Sequence, residues 1–349
     1  MGATMATGAW RPGATLCVAL GSPSSSRPLR ETLRRFRRIC STLSHEPEIP
    51  VPPPDLPVGR VVYVPGRGEM FFREEQGPQG PLPVLLLHGW TATADTTWFP
   101  VYPVLAADRT VLAIDHRGHG RGLRAESPFS LEECADDAAA LLDLLGIKRV
   151  IVAGYSMGGA VALLMWKRRP DLVGGLVLSG TALEWRARLR ERLLWHSLVL
   201  MEVGLRLGKG DGFVQRYLRE AVADSPDVSE LRAWVGGELK RGYSRDVAAA
   251  GRALANFDAR PFAGSIDVPC ATVVTTSDRL VPPDKQRDLT RALGAREFDL
   301  DADHDAPLVR AKGFAAAMAD AVAAIAHSVG AHADQEGPMR PAGPVLRTP

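Results

Sequence analysis

Cysteine is scarce: the 349 residues hold four, Cys17, Cys40, Cys134 and Cys270, with no CxxC and no other metal-ligand spacing. A disulfide scaffold or a structural zinc site needs paired or clustered cysteines, so this scatter predicts buried free thiols in a reducing compartment. An excess of one charge is missing as well. Lys and Arg total 42 against 40 Asp and Glu, a formal +2, which gives no field for drawing in nucleic acid or an anionic membrane from a distance. Long apolar runs are also absent. Leu16-Cys17-Val18-Ala19-Leu20, flanked by Arg11, Pro12 and Ser/Pro-rich sequence, is too brief for a signal h-region, and no other run reaches the about 18 residues of a spanning helix. Integral membrane association is not expected, and cytoplasmic residence is the default. No repeat of solenoid period occurs, and Gly66-Arg67-Gly68 is no phosphate fingerprint, since neither G-x-G-x-x-G at a strand-to-helix turn nor a Walker sequence is found.

What is present is ordinary globular material, 46% apolar and 23% charged. The length fits two domains or one α/β domain with an insert. Residues 1–57 read as a flexible extension. Residues 1–26 are a Gly/Ala/Ser/Thr/Pro tail, and a short basic helix follows. In that helix Arg27, Arg30, Arg34, Arg35, Arg37 and Arg38 surround Leu33, Phe36 and Ile39. It offers at most a weak peripheral contact with an anionic surface; a solvated arm packed on its own domain is the plainer reading. Six prolines from Pro47 to Pro57 then form an extended linker.

From residue 58 the pattern is α/β. Val61–Val64 and Met70–Phe72 form a hairpin across Pro65-Gly66-Arg67-Gly68, and apolar bursts at Val84–Leu87, Val111–Ile114, Val150–Ala153, Leu176–Leu178 and Ala271–Thr275 read as buried strands. Helical stretches such as Leu131–Leu145 separate most of them, so the sheet is predominantly parallel with flanking helices. Between Gly180 and Cys270 about ninety residues carry helical patterns and no strong strand, too long for a single loop. These patterns, at Leu183–Leu207, Phe213–Ala223, Val228–Leu239 and Arg245–Phe257, read as an inserted helical cap, with an independent bundle as the alternative. The boundaries follow: core over 58–180, cap over 181–266, core again over 267–330 with a closing helix near Leu308–Ala326, and a flexible tail over 331–349.

The chemistry concentrates at Gly154-Tyr155-Ser156-Met157-Gly158, directly after Val150–Ala153 and before the helical Gly159-Ala160-Val161-Ala162-Leu163-Leu164. In that strand–turn–helix setting the glycines permit a sharp turn that lifts the Ser156 hydroxyl above the sheet; the bland alternative is a structural turn with a solvated serine. A serine hydroxyl needs a base. His304 follows the strand candidate Glu297–Leu300 and precedes the terminal helix, a better position than His196 in the cap. Asp278, just past a buried strand, is the acid that would hold the imidazole, with Asp301, Asp303, Asp305 and Glu184 as rivals. The chain order Ser156, Asp278, His304 is that of the α/β-hydrolase triad. Met157 supplies one oxyanion N–H; Trp90, in Leu87-His88-Gly89-Trp90-Thr91, is placed to supply the other, unless His88-Gly89 is an ordinary turn. Asp115-His116-Arg117-Gly118-His119-Gly120 invites a metal, but its spacing gathers only some of those side chains. Hydrogen bonds and salt bridges fixing the floor of the site are the reading adopted, and no metal or organic cofactor is expected.

These motifs resemble the α/β-hydrolase superfamily, specifically its compact bacterial esterase and lipase-like branch, with the His88-Gly89-Trp90 turn, the Asp115-to-Gly120 loop and a helical cap, over residues 58–328. The resemblance implies a serine after the fifth strand, an aspartate after the seventh and a histidine after the eighth as triad, on Ser156, Asp278 and His304, with oxyanion donors at Trp90 and Met157. It sets aside epoxide hydrolases and haloalkane dehalogenases, which carry aspartate where Ser156 stands, and leaves perhydrolase activity open as a side reaction. The expected substrate is a small-molecule carboxylic ester of small or medium size. Tyr155, Trp98, Phe99 and Trp185 are taken as pocket residues that favour an apolar or aromatic group, though several of these side chains would equally serve to pack the cap. Amide, thioester or carbon–carbon hydrolysis, and a ligand-binding or signalling protein on a hydrolase scaffold, are the alternative functions; the oligomeric state is not legible.

Overall fold

Side chains alternate across a β-strand, so a short strand buried on both faces must be apolar at every position. The computed structural model describes residues 55–78, 81–186 and 232–336. Among these, eight strands appear: β1 (Val58–Val64), β2 (Gly68–Glu75), β3 (Val84–Leu87), β4 (Val111–Ile114), β5 (Val150–Tyr155), β6 (Val173–Ser179), β7 (Cys270–Thr275) and β8 (Arg296–Leu300). They form one sheet in the order β1-β2-β4-β3-β5-β6-β7-β8. The β1–β2 hairpin and the β2–β4 pairing are antiparallel, and every pairing from β4 to β8 is parallel. The α/β fold with a mostly parallel sheet, flanking helices and an inserted helical region is thus as the sequence implied.

The described helices are α1 (Ala94–Trp98), α2 (Tyr102–Ala106), α3 (Leu131–Leu144), α4 (Met157–Arg168), α5 (Arg232–Leu239), α6 (Ser244–Asn256), α7 (Pro283–Leu293), α8 (Ala306–Val309) and α9 (Ala311–Glu336). Helix α3 starts where its chemistry requires: the Ser130 side chain accepts from the Glu133 N–H, and Glu132 and Glu133 sit in the first turn against the positive end of the dipole.

Alternation divides the core in two. Leu85, Leu87, Leu112, Ile114, Val150, Val152, Leu176 and Leu178 face α3 and α4, whereas Val84, Leu86, Val111, Ala113, Ile151, Ala153 and Val177 face α1, α2 and α9. Each of the Val, Leu and Ile side chains among them contributes about 1.5–3 kcal/mol by leaving water. The closing helix differs from its expected span: a break at Arg310 separates α8 from α9, which then runs ten residues past Ala326. By length and composition Ala311–Gly330 would suffice to cross a membrane, a property masked in the sequence by Lys312 and Asp320. In the fold, Phe314, Met318, Ala321, Val322 and Ile325 of that helix are buried in the second core layer.

Helices α5 and α6 belong to the segment inserted between β6 and β7. They dock on the loops that follow β3 and β4: Tyr243 N–H donates to the Gly118 carbonyl at 3.1 Å, and Arg121 grips the buried Glu238 carboxylate with two bonds of 2.7 and 2.8 Å. Cys134 and Cys270 are buried free thiols. The N-terminal tail, the arginine cluster, the proline linker as far as residue 54, the cap patterns over 187–231, Cys17, Cys40, His196 and residues 337–349 lie outside the described residues.

Candidate active site

The chain turns from β5 into α4 at Ser156, which adopts φ 54° and ψ −116°, a left-handed conformation in a residue with a side chain. Such a conformation costs about 1–3 kcal/mol and persists only where its surroundings impose it. They do so here by close approach. A Cβ on Gly158 would lie 2.0 Å from the Leu87 carbonyl oxygen, and one on Gly154 would lie 2.4 Å from the Gly158 oxygen, so neither position admits a larger residue. The Ser156 N–H donates to the Ser179 carbonyl at the end of β6, 2.8 Å away. The hydroxyl is thereby set at the N-terminus of α4, where unpaired amides and the helix dipole favour negative charge.

His304 reaches this hydroxyl from the loop after β8. Its Nε2 lies 3.0 Å from Ser156 Oγ, and its Nδ1 lies 2.8 Å from Asp278 Oδ2. An ionised carboxylate only accepts, so Nδ1 carries the proton, and Nε2 of the neutral ring presents a lone pair to the serine O–H. Ser156 and Asp278 are 4% and 3% exposed, so the hydroxyl and the carboxylate are almost sealed, with the imidazole between them.

Three of the four rival acids are engaged elsewhere, and the fourth, Asp305, makes no hydrogen bond to the His304 ring, whose Nδ1 is taken by Asp278. Asp303 accepts from the backbone N–H groups of Arg279 and His304, bracing the histidine loop from outside, and its carboxylate also pairs with the Arg279 side chain. Asp301 accepts from Ser277 Oγ, and Glu184 pairs with Lys285 Nζ at 3.0 Å. Asp278 has further donors. Oδ1 accepts from the Leu280 and Val281 N–H groups, and Oδ2 accepts from Thr275 Oγ1 at 2.8 Å and, at 3.3 Å, from Gln286 Nε2. Sequence reading did not find Thr275 and Gln286, which carry no motif; the only available signal was their position at the end of β7 and in the first turns of α7.

The loop after β3 passes close above the elbow: a Cβ on Gly89 would be 3.3 Å from Ser156 Cβ. Trp90 follows, and Thr91 at φ 65° is, with Ser156, one of two described non-glycine residues with positive φ. Underneath lies the Asp115-to-Gly120 loop. His88 Nδ1–H donates to the Gly89 carbonyl and Nε2 accepts the His116 N–H at 2.9 Å. Asp115 accepts from the Ala94 and Arg121 N–H groups, and Arg117 makes a two-pronged pair with Asp137, both bonds 2.7 Å. These are the hydrogen bonds and salt bridges expected of a floor. Burial holds the three histidines neutral: His88 is driven well below its ordinary value, His116 down to about 3 and His119 to about 4, with neighbouring histidines adding to the effect on the first two. Burial likewise raises Asp115 to about 6. Among the described residues, no group of three or more His, Cys, Asp or Glu side chains is disposed to hold a metal ion.

The four pocket candidates separate. Trp98 is 0% exposed and stacks on Phe314 with ring centroids 5.8 Å apart, so, against the sequence expectation, it is a core residue and not part of the mouth: it is near the site in sequence, but its helix turns it inward. Tyr155 is a buried wedge, its hydroxyl donating to the His304 carbonyl at 2.6 Å and its ring meeting Phe314 edge-on. Phe99, half-buried, meets Trp234 of α5 edge-on at 5.7 Å, at the seam between core and cap. Trp185 is buried with the α4-side core.

A family model described as alpha/beta hydrolase fold matches residues 83–311. Over 250 residues, 70% of this chain and 95% of the relative, the sequence is 31% identical to a pimeloyl-acyl-carrier-protein methyl ester esterase of Neisseria meningitidis. It is also 32% identical over 172 residues, 49% of this chain, to the dihydrolipoyllysine-residue acetyltransferase component of the acetoin cleaving system of Pseudomonas putida; the match spans only 44% of that protein's length. Among solved structures, the enol-lactonase of Burkholderia xenovorans superposes with a TM-score of 0.65 at 26% identity, covering 76% of this chain and 100% of that one.

Proposed function

This chain belongs to the alpha/beta hydrolase family, and we propose that within that fold it is a carboxylic ester hydrolase with Ser156 as nucleophile, His304 as general base and acid, and Asp278 as the residue that orients His304. The observation that carries this is the unbroken line of bonds from Asp278 Oδ2 through both ring nitrogens of His304 to Ser156 Oγ, at 2.8 and 3.0 Å. As Oγ attacks the ester carbonyl, its proton passes to Nε2, and the imidazolium is held against the Asp278 carboxylate. The oxyanion is received by the backbone N–H groups of Met157, at the start of α4, and Trp90, whose loop lies against Ser156. Nε2–H then protonates the departing alcohol. Water, losing its proton to Nε2, attacks the acyl-serine and releases the acid and the free hydroxyl.

The relatives named for a methyl ester and for an enol-lactone, itself an internal ester, support an ester of small or medium size as substrate. Free thiols at Cys134 and Cys270 support a reducing compartment. The test is a burst of p-nitrophenol from a short-chain p-nitrophenyl ester, with covalent labelling by a serine-directed phosphonate. Ser156→Ala is expected to fold normally while losing both burst and label; an undiminished burst removes Ser156 from the role. Sustained turnover separates this reading from a ligand-binding protein, which would retain its ligand after a single event.

A further inference from the structure

We infer that Thr275 and Gln286 are positioning residues for hydrolysis, fixing Asp278 Oδ2 on His304 through a directed pair of hydrogen bonds. The inference rests on the triad assigned above and extends it to two side chains that touch no substrate.

The direction of each bond follows from donor chemistry. Gln286 Oε1 accepts the Thr275 backbone N–H at 3.0 Å, while Nε2 donates to the Val281 carbonyl at 2.8 Å. A backbone donor at one end and a backbone acceptor at the other fix which end of the amide is which. Nε2 also donates to Thr275 Oγ1 at 2.8 Å, occupying a lone pair of that hydroxyl. A hydroxyl has one proton, and Asp278 Oδ2, 2.8 Å away, accepts and does not donate. The Thr275 proton therefore points at Oδ2. Gln286 sets the polarity of the Thr275 hydroxyl, and Thr275 passes it to the carboxylate.

Oδ1 and Oδ2 are held differently. Oδ1 is held by the amides of its own loop, Leu280 and Val281, which leaves the carboxylate free to swing Oδ2 about that anchor. Thr275, at the end of β7, and Gln286, in α7, remove that freedom by tying Oδ2 to the sheet and to the helix. Both side chains are buried, so water does not substitute for either. The orientation matters most when His304 becomes a cation, which occurs in the transition state and not on substrate binding. The loss should therefore appear in kcat and leave KM in place.

The full chain is tested as Thr275→Val, Thr275→Ser, Gln286→Leu and the Val/Leu double variant, with Ser156→Ala as reference, on a short-chain p-nitrophenyl ester. Thr275→Val and Gln286→Leu are each expected to lower kcat about tenfold, the size of one lost hydrogen bond to a charged group, with KM within about twofold. Thr275→Ser, which keeps the hydroxyl, is expected to stay near wild type. Because Gln286 acts largely through Thr275, the double variant should lose little beyond the worse single one. Phosphonate labelling of Ser156 should slow by the same factor as kcat. Folded Thr275→Val with wild-type kcat, even at a lowered melting temperature, overturns the inference, as does an equal loss in Thr275→Ser. If Gln286→Leu does not fold, the nearly isosteric Thr275→Val decides. A dead Ser156→Ala beside unimpaired Thr275 and Gln286 variants removes this inference alone; an active Ser156→Ala removes the triad reading beneath it.

Discussion

The indole N–H of Trp90 donates to the Val247 carbonyl in α6 at 2.6 Å, so the loop bearing a proposed oxyanion donor is fastened to the cap across 157 positions of sequence. Trp90 also packs against the small apolar cluster of Val235, Leu239 and Val247. Trp90→Phe keeps a ring in that cluster and removes the tie. We expect kcat/KM to fall about fivefold, in line with roughly 1 kcal/mol for one neutral hydrogen bond, together with faster proteolytic cleavage near α5 and α6. Unchanged kinetics and unchanged cleavage would detach the cap from the oxyanion loop.

Tyr155 fastens the other side of the site through its hydroxyl, which donates to the His304 carbonyl. Tyr155→Phe leaves the ring against Phe314 and frees the histidine loop. The expected result is a kcat reduced about three- to tenfold, again one hydrogen bond's worth, with KM retained. Crystal structures of both forms should show the His304 main chain shifted or less ordered in the variant.

Acid should unfold this protein through its floor. In the folded state His116 titrates at about 3 and His119 at about 4, and His88 is also pushed down, against an ordinary value of 6.5. As pH drops below 6.5 the unfolded chain binds protons that the folded chain refuses, so stability falls, by about 1.4 kcal/mol per pH unit for each histidine. Asp115 works in the opposite sense: raised to about 6, it takes up a proton in the folded state first and adds stability between 6 and 3.8. Asp137, also raised by burial, acts in the same sense as Asp115, and the three histidines outweigh the two aspartates. The melting temperature is expected to fall steadily from pH 7 to pH 4.5, and His116→Phe to flatten that slope; a profile independent of pH would mean these rings are not neutral and buried.

Gly158→Ala adds a methyl group 2.0 Å from a backbone oxygen of β3, where no side chain can yield. Destabilisation of about 3 kcal/mol or more is expected, the range for forcing atoms into a packed interior. Chemical denaturation measures it directly, and a wild-type midpoint would show that the elbow is looser than described.

Much of this site was legible because its signals are local. The strands are short, apolar and buried on both faces, and the serine stands between such a strand and a helix, so Val150 to Leu164 defines the elbow without help from the rest of the chain. Asp278 follows a strand of the same kind, whereas His304 follows β8, an edge strand that carries Arg296, Glu297 and Asp299 and is mostly exposed, so it was legible from its place before the closing helix. What escaped is non-local. Thr275, Asp278 and Gln286 converge only when β7 and α7 pack, and the tie from Trp90 to Val247 joins segments with no shared pattern. Trp98 shows the converse error: proximity in sequence to the oxyanion loop implied a place at the mouth, but the face of α1 on which it sits turns toward Phe314 and α9.

Because Val150 and Val152 look to one helical layer and Ile151, Ala153 and Tyr155 to the other, position along β5 has a parity that runs on into Ser156. Losing or gaining a single residue in this strand would exchange its two sets of side chains and aim the hydroxyl away from its base. Length changes here are admissible only in twos, and descendants of this sequence should vary the strand by substitution while their insertions and deletions gather in the segment between β6 and β7.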